Sequence, residues 1–345
     1  MNDLKDIKRK RKELEKQLQD DYNSKSGYIE KFKYIYNLLI KSQRHYLKYT
    51  SNKIFNEIYF NELINKLKAT ENLTDDIFVD FIKENLMSKI KCGHIYLIPH
   101  AVDGKNTEEF LSKINDGQNV EYKFSGDTLI LKIKSFHKSN YKRDKAVFDE
   151  LREILHDKQV DNIIFDLRGN GGGADQYIGY FQIFFSKDFK NARKSRNLLT
   201  DENEIRDSIF SGFSDSKEYN RYVLIDEKCF STTDSFVRFC KTSGFATLIG
   251  QPTRGEGFGM NPFKIQITKS EYNGKYLSGY LPAIIKGIEI NYPIDAPIND
   301  LGEIDYENFY RTAPDIVCDA SDALNVAFKE IEKKKCENKD ITKSI

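Results

Sequence analysis

One stretch near the middle of the chain limits the folds open to it more than any other. It reads Asp161-Asn-Ile-Ile-Phe-Asp-Leu-Arg-Gly-Asn-Gly-Gly-Gly-Ala174. The apolar run Ile163–Leu167 predicts a buried strand, because short runs of branched and aromatic residues are typical of covered strands. Several glycines follow this run, and an apolar, helix-like segment then extends from Gln176 to Phe185. Glycine permits sharp turns and close approach to a ligand, so the layout predicts a strand, an anion-binding turn and a helix.

Three interpretations of this glycine loop stay open at this point: a plain turn, a nucleotide-binding loop and a loop that stabilises an oxyanion. The nucleotide interpretation rests on Gly169, Gly171 and Ala174, which match the pattern G-x-G-x-x-A. That pattern normally follows the first strand of its unit, with an acidic residue about 20 positions later at a strand end. Here the pattern lies in mid-chain, and Asp188 stands in a charged stretch. The rest of the chain favours the oxyanion interpretation.

Composition excludes several classes of protein. The 345 residues suffice for one large domain or two ordinary ones. Lys and Arg number 54 against 53 Asp and Glu, so charge gives no reason to expect a nucleic-acid partner. The five cysteines include no C-x-x-C pair, which argues against a zinc site and a disulfide framework. We therefore expect no metal and no cofactor.

The N-terminus carries dense charge and no apolar core, so no signal peptide is visible. No apolar run approaches the roughly 20 residues that span a bilayer. We expect no membrane span and a cytoplasmic location, or a secreted or cell-surface one if the sequence begins after an export signal. The sequence does not decide between a monomer and a homo-oligomer.

Patterning divides the chain into three parts. Residues 1–90 read as a helical N-terminal region, in which Ile77, Phe78, Phe81 and Ile82 recur at helical spacing. Residues 91–320 alternate strands with helices, which predicts a layered α/β domain. Residues 321–345 form a C-terminal helix and tail. Other predicted elements are a short helix at 107–114, paired strands at 120–124 and 128–133, and strands at 263–267, 283–285 and 288–290.

Ser231 is the first candidate for chemistry. It follows the apolar strand Tyr222–Ile225 and precedes an apolar, helix-like run. It can be read simply as a helix N-cap, with Asp234 completing a capping box. The same position also suits a nucleophile, because free N–H groups at a helix N-terminus can hold a developing oxyanion. A serine is a weak nucleophile without a base. Ser231 is therefore a helix cap if no base accompanies it, and a candidate nucleophile of an enzyme if one does.

Two residues are candidates for the base and its partner. His94 begins a predicted strand after Cys92-Gly93, a setting that can aim an imidazole into a cleft, although a lone histidine is more often structural. Glu289 is an acid inside an otherwise apolar strand, where it either faces water or orients a base.

Three blocks of sequence resemble one family. The run from Ile163 to Gly173 resembles the signature Asp-Leu-Arg-x-Asn-x-Gly-Gly of the tail-specific (C-terminal processing) serine peptidases. That family includes the tricorn core protease and the interphotoreceptor retinoid-binding protein modules. The block Tyr222–Phe236 is similar to its strand, loop and nucleophile helix. The block Ala246–Gly257 is similar to its Gly-Glu-x-Thr-x-Gly segment, with Gln251 in place of the first glutamate. The resemblance covers roughly residues 90 to 317.

The resemblance implies a crotonase-like (ClpP-like) layered α/β/α catalytic domain and a serine-type endopeptidase that acts on a peptide or protein substrate. In the bacterial processing proteases a lysine after Thr-x-Gly serves as the base. Glu256 stands at that position here, so a Ser–Lys dyad is rejected. The resemblance to the tricorn-like branch instead implies Ser231 as nucleophile, His94 as base and Glu289 as the orienting acid.

The same resemblance implies an oxyanion hole made by the N–H of Thr232 and one glycine N–H, from Gly172 or Gly173. The chain departs from the family at Cys92 and Gly93, where relatives carry other residues before the histidine. The segment between residues 97 and 127 is too short for a PDZ module. The departures keep an alternative open, namely a catalytically inactive peptide- or ligand-binding protein on the same scaffold.

Overall fold

A computed structural model describes most of the chain. The described residues are 4–49, 54–90, 92, 94–101, 118–213, 217–257, 263–268, 285–292, 294–305 and 311–343. The helices are α1 (Leu4–Asn23), α2 (Gly27–Tyr49), α3 (Glu57–Ala69), α4 (Asp75–Ile82), α5 (Tyr141–Asp157), α6 (Thr232–Ser243) and α7 (Ala323–Lys343). A π-helical turn (Lys83–Met87) and two 3-10 segments (Lys138–Asn140 and Asp175–Phe184) complete the helical elements of this part.

Twelve strands lie in the described part of the chain. They are β1 (Tyr96–Ala101), β2 (Val120–Ser125), β3 (Thr128–Ile133), β4 (Asn162–Asp166), β5 (Phe189–Asn197), β6 (Asn203–Phe210), β7 (Asn220–Ile225), β8 (Thr247–Gly250), β9 (Phe263–Thr268), β10 (Ile285–Tyr292), β11 (Asp295–Pro297) and β12 (Ile316–Val317). The chain divides into two compact units. The first comprises Met1–Ile114, Lys194–Arg206 and Gly259–Ile304, and the second comprises Asn115–Arg193, Asp207–Phe258 and Asp305–Ile345.

The first unit begins with the predicted helical region, which is confirmed. Its helices bury the apolar positions that recur at helical spacing, including Phe32, Leu63, Phe78, Ile82 and Leu86. Asn56 and Thr74 cap α3 and α4 by accepting backbone N–H bonds with their side chains. The unit also contains a three-stranded antiparallel sheet in the order β1-β10-β9.

One face of α1 covers the edge strand β9. Glu15 accepts the backbone N–H of Lys264 at 2.7 Å, and the Gln19 amide both accepts from and donates to the backbone of Gln266. The Tyr22 hydroxyl donates to the carbonyl of Ile267 at 2.7 Å. Residues 15, 19 and 22 share a helix face, so their side chains satisfy backbone groups that an edge strand otherwise leaves unpaired.

The second unit is built on a six-stranded sheet in the order β12-β8-β7-β4-β3-β2, parallel except for the antiparallel pair β2–β3. Helices α5 and α6 and the 3-10 segment Asp175–Phe184 cover one face through an aromatic core. In that core the Phe181 ring lies 5.4 Å from that of Phe165 and 4.6 Å from that of Phe236. Helix α7 covers the other face. This unit therefore has the layered α/β/α arrangement that the sequence predicts.

Several local predictions differ from the structure. Strands β5 and β6 are not apparent in the sequence, because β5 reads Phe-Lys-Asn-Ala-Arg-Lys-Ser-Arg-Asn and lacks apolar alternation. One strand, β10, stands where two were predicted at 283–285 and 288–290, and residues 283 and 284 lie outside the described residues. The predicted helix at 107–114 also lies outside them. Among the helices that the structure describes, none combines the length and apolar character required to cross a membrane.

Candidate active site

Asn170 fixes the glycine loop that follows β4. Its side-chain nitrogen donates to the carbonyl of Ile133, and its side-chain oxygen accepts from the N–H of Gly172 at 2.9 Å and from the Thr233 hydroxyl at 2.7 Å. Its backbone carbonyl accepts from the N–H of Phe230 at 3.2 Å. Asn170 is fully buried, so these bonds join the loop to β3 and to the start of α6 away from water.

Arg168 holds the beginning of the same loop. Its guanidinium makes two bonds of 2.7 Å to the carboxylate of Asp166, and a third bond to the carbonyl of Ala320. The N–H of Gly169 donates to Asp226 at 3.0 Å. These contacts hold the start of the loop in place, so Arg168 positions the loop.

Gly172 and Gly173 allow the loop to press against its neighbours. Both have positive φ angles, 91° and 142°, which L residues with side chains rarely adopt. A Cβ atom on Gly172 would lie 2.5 Å from the carbonyl oxygen of Phe230 and 2.9 Å from Cβ of Ser231. A Cβ atom on Gly173 would lie 2.2 Å from the carbonyl oxygen of Phe136. Gly172 is therefore required by close backbone approach beside Ser231, and Gly173 by close approach to the backbone of Phe136.

Ser231 lies at a sharp turn between the loop after β7 and helix α6. Its backbone has φ 57° and ψ −123°, a region that side-chain-bearing residues avoid. Its N–H donates to the carbonyl of Gly255 at 3.0 Å. Its hydroxyl makes no capping bond to the helix, so the capping box with Asp234 does not form. The strained strand-to-helix turn is the backbone geometry that exposes a nucleophilic serine in other hydrolases.

Two N–H groups next to Ser231 are open. Thr232 is the first residue of α6, where a helix leaves its N–H without an internal acceptor. Gly173 is exposed, and the Thr232 hydroxyl donates to its carbonyl at 2.6 Å. Within the described residues neither N–H has a protein acceptor, whereas the N–H of Gly172 is committed to Asn170. N–H groups without an acceptor can donate to an oxyanion, and at Gly172 the absence of a side chain permits the close packing against Ser231.

Asp234 anchors the segment 253–257 to helix α6. Its carboxylate accepts from the hydroxyls of Thr253 and Thr312, from the N–H of Gly257 at 3.0 Å and from Arg238 at 3.2 Å. The Asp234 side chain is fully buried. Because Gly255 accepts the N–H of Ser231, the anchored segment also holds the backbone of the candidate nucleophile. Sequence reasoning missed this network and Asn170, since only the fold brings Thr312 to Asp234.

Replacing Ser231 with glycine is expected to stabilise the protein while removing its candidate nucleophile. Glycine adopts φ 57° without strain, whereas a residue in such a region costs about 1–3 kcal/mol. The more flexible unfolded chain offsets part of that gain, so we expect a net increase of about 1 kcal/mol in the free energy of unfolding. Urea unfolding measures it. Ser231→Ala keeps the strain and serves as control; equal stability of the two variants would contradict the assignment of strain.

His94 and Glu289 belong to the first unit, and Ser231 belongs to the second. His94 lies half-buried in the turn just before β1, and Cys92 beside it is buried. Glu289 is half-buried on β10, where its backbone pairs with Ile98 of β1 and Gln266 of β9. Glu289 is thus carried by β10, and His94 precedes β1, which is the neighbour of β10 in the same sheet. The Ser-His-Glu arrangement stays a prediction, and Gly93 lies outside the described residues.

The described residues contain no group of three or more His, Cys, Asp or Glu side chains placed to hold a metal ion. The arrangement around Ser231 instead combines a strained serine, a helix N-terminus and a glycine loop. Such parts serve nucleophilic attack on a carbonyl group and stabilisation of the resulting oxyanion.

Comparison with known proteins identifies a structure of similar fold and a family whose profile matches part of the chain. A lipoprotein structure from Streptococcus agalactiae is 15% identical, covers 85% of this chain and 96% of its own, and has a TM-score of 0.52. The photosystem II D1 C-terminal processing protease is 16% identical over 67% of this chain and 50% of its own, with a TM-score of 0.36. The tricorn protease is 18% identical over 64% of this chain and 17% of its own, with a TM-score of 0.34.

The first of these structures supports the fold, and the two proteases have TM-scores too low to add to it. Among curated proteins, none matches the sequence. The profile of Peptidase family S41 matches residues 127–278, a range that contains the glycine loop, Ser231 and the segment 253–257. This match supports a peptidase activity. Residues 127–278 are therefore similar to the members of Peptidase family S41.

Proposed function

We propose that this chain is a serine endopeptidase with Ser231 as its nucleophile. The observation that carries the proposal is the backbone of Ser231, strained at the N-terminus of α6 beside two open N–H groups. A strained turn that is held from both sides persists because the surrounding structure fixes it, and such turns cluster at active sites. The match to peptidase family S41 supplies the reaction class.

In the proposed reaction His94 accepts the proton of Ser231 as Oγ attacks the scissile carbonyl carbon. The N–H groups of Thr232 and Gly173 donate to the oxyanion that forms, and loss of one such donor typically costs about 3 kcal/mol in the barrier. The imidazolium of His94 then protonates the leaving amine, and Glu289 stabilises that imidazolium. Water, deprotonated by His94, hydrolyses the acyl-enzyme and regenerates Ser231.

A fluorophosphonate probe tests the proposal, because it forms a covalent bond only with an activated serine. We expect stoichiometric labelling at Ser231, identified by mass spectrometry of the digested protein, together with hydrolysis of unstructured protein substrates. Ser231→Ala should lose both, with hydrolysis falling about 10⁴-fold or more.

The control is a serine of similar exposure away from the site, replaced in the same way. Ser243→Ala changes a half-buried serine at the C-terminal end of α6, far from Ser231 at its N-terminus, and it should retain labelling. Hydrolysis that survives in pure Ser231→Ala protein would refute the serine mechanism. A folded wild-type protein that takes no label would instead favour a binding protein on this scaffold.

A further inference from the structure

The hydroxyl of Thr232 links the two residues that carry the proposed oxyanion donors. Thr232 is the first residue of α6, and its hydroxyl donates to the carbonyl of Gly173 at 2.6 Å. The backbone N–H groups of these same two residues are the proposed donors, and they come from different elements, the helix and the glycine loop. One side-chain hydrogen bond therefore joins two residues whose N–H groups have to converge on one oxygen atom.

The backbone around Gly173 is held from its other side by Phe136. The N–H of Phe136 donates to the carbonyl of Gly172 at 3.0 Å, and the N–H of Ala174 donates to the carbonyl of Phe136 at 2.7 Å. These two bonds form an isolated parallel bridge between Phe136 and Gly173. In such a bridge the bonds use the residues before and after the glycine, so the glycine's own N–H and carbonyl are directed to the opposite side. On that side the Gly173 carbonyl meets the Thr232 hydroxyl.

The bonds of Asn170 attach an earlier part of the glycine loop to the same helix start. Its side-chain oxygen accepts the Thr233 hydroxyl at 2.7 Å, and its carbonyl accepts the N–H of Phe230 at 3.2 Å. Asn170 precedes Gly173 by three residues, and the residues between them are glycines, which restrict the backbone least. The bond from Thr232 reaches Gly173 itself, so it fixes the part of the loop that carries the proposed donor.

From this geometry we propose that Thr232 is a positioning residue, whose hydroxyl holds the Gly173 N–H in the direction required by the oxyanion. This inference rests on the proposed function of Ser231. Donors that are already oriented stabilise an oxyanion because they need no rearrangement as charge develops. Gly173 is exposed, so water can satisfy its carbonyl when the hydroxyl is removed, but water does not tie the loop to α6. Loss of the hydroxyl should therefore slow the reaction more than it weakens the fold.

The test compares Thr232→Val, which keeps the branched shape and loses the hydroxyl, with Thr232→Ser, which keeps the hydroxyl. The readouts are kcat and KM on fluorescein-labelled casein, the rate of fluorophosphonate labelling and unfolding in urea. We expect Thr232→Val to lower kcat and the labelling rate about tenfold with KM within about twofold of the wild-type value, because the donors act on the transition state. Thr232→Ser should restore kcat to within about threefold of the wild-type value.

Two further variants complete the comparison. Thr232→Ala also lacks the hydroxyl and should match Thr232→Val, so the result does not depend on how well valine is accepted at this position. The control Thr242→Val removes an exposed hydroxyl that donates to the carbonyl of Arg238 at 3.0 Å, near the other end of α6. It should keep the wild-type kcat and labelling rate.

Two results would overturn the inference. One is a wild-type kcat and labelling rate in Thr232→Val and Thr232→Ala, and the other is a Thr232→Ser variant that is as slow as they are. Fluorophosphonate labelling separates this failure from failure of the proposed function. If the wild-type protein and the hydroxyl-free variants take the label at the same rate, only the positioning role is refuted, whereas folded wild-type protein that takes no label refutes both.

Discussion

Gly172→Ala is expected to destabilise the protein by about 3 kcal/mol and to abolish fluorophosphonate labelling of Ser231. The new methyl group would lie 2.5 Å from the carbonyl oxygen of Phe230 and 2.9 Å from the backbone nitrogen of Thr232. Overpacking of this kind costs about 1–3 kcal/mol, and a φ of 91° adds strain for any residue with a Cβ atom. The displaced atoms belong to the residues on either side of the proposed nucleophile, so the proposed oxyanion donors move as well.

Gly171→Ala is the matched control, one residue earlier in the same loop. Its Cβ atom would meet no atom within 4 Å, and Gly171 has no positive φ. We expect its free energy of unfolding to stay within about 0.5 kcal/mol of the wild-type value, with labelling retained. Urea unfolding and the labelling rate measure both variants. Similar effects of the two substitutions would contradict the assigned role of Gly172.

The strand, turn and helix around this loop are predictable from the sequence because each depends on local chemistry. The run Ile163–Leu167 is apolar without interruption, as suits a central parallel strand, and β4 is buried along its whole length. The turn has glycine at the positions that need positive φ. The segment after it is a 3-10 helix over Asp175–Phe184, a distinction that apolar patterning alone does not make.

The donors of the proposed oxyanion hole are harder to predict. The sequence leaves Gly172 and Gly173 equivalent, since both are glycines of one loop. Which of the two can donate depends on Asn170. Its side-chain oxygen accepts the N–H of Gly172, and the N–H of Gly173 has no acceptor among the described residues. A side chain that folds back onto its own loop has no periodic signature in the sequence, so only the structure separates the two glycines.

Asp234 shows a second limit of sequence reasoning. Its position three residues after Ser231 matches a capping box, which is a local pattern. In the structure its carboxylate instead accepts hydrogen bonds from Thr253 and Thr312, which are distant along the chain but buried beside Asp234. Long-range polar networks of this kind depend on how strands β7, β8 and β12 are ordered in the sheet. The sequence predicts the strand Tyr222–Ile225 but gives neither β12 nor the order of the three strands.

Asp234→Asn is expected to destabilise the protein by about 3 kcal/mol and to slow labelling of Ser231 about 100-fold. The new amide nitrogen would face groups that donate hydrogen bonds to the carboxylate, so these donors would lose their acceptor. Breaking a buried pair by removing one partner costs about 3–5 kcal/mol of stability. The segment 253–257 would lose its anchor, and with it the Gly255 carbonyl that holds Ser231. Urea unfolding and labelling kinetics measure the two effects, with the exposed Asp175→Asn as control. Wild-type labelling in a destabilised Asp234→Asn protein would show that Asp234 supports the fold without positioning the nucleophile.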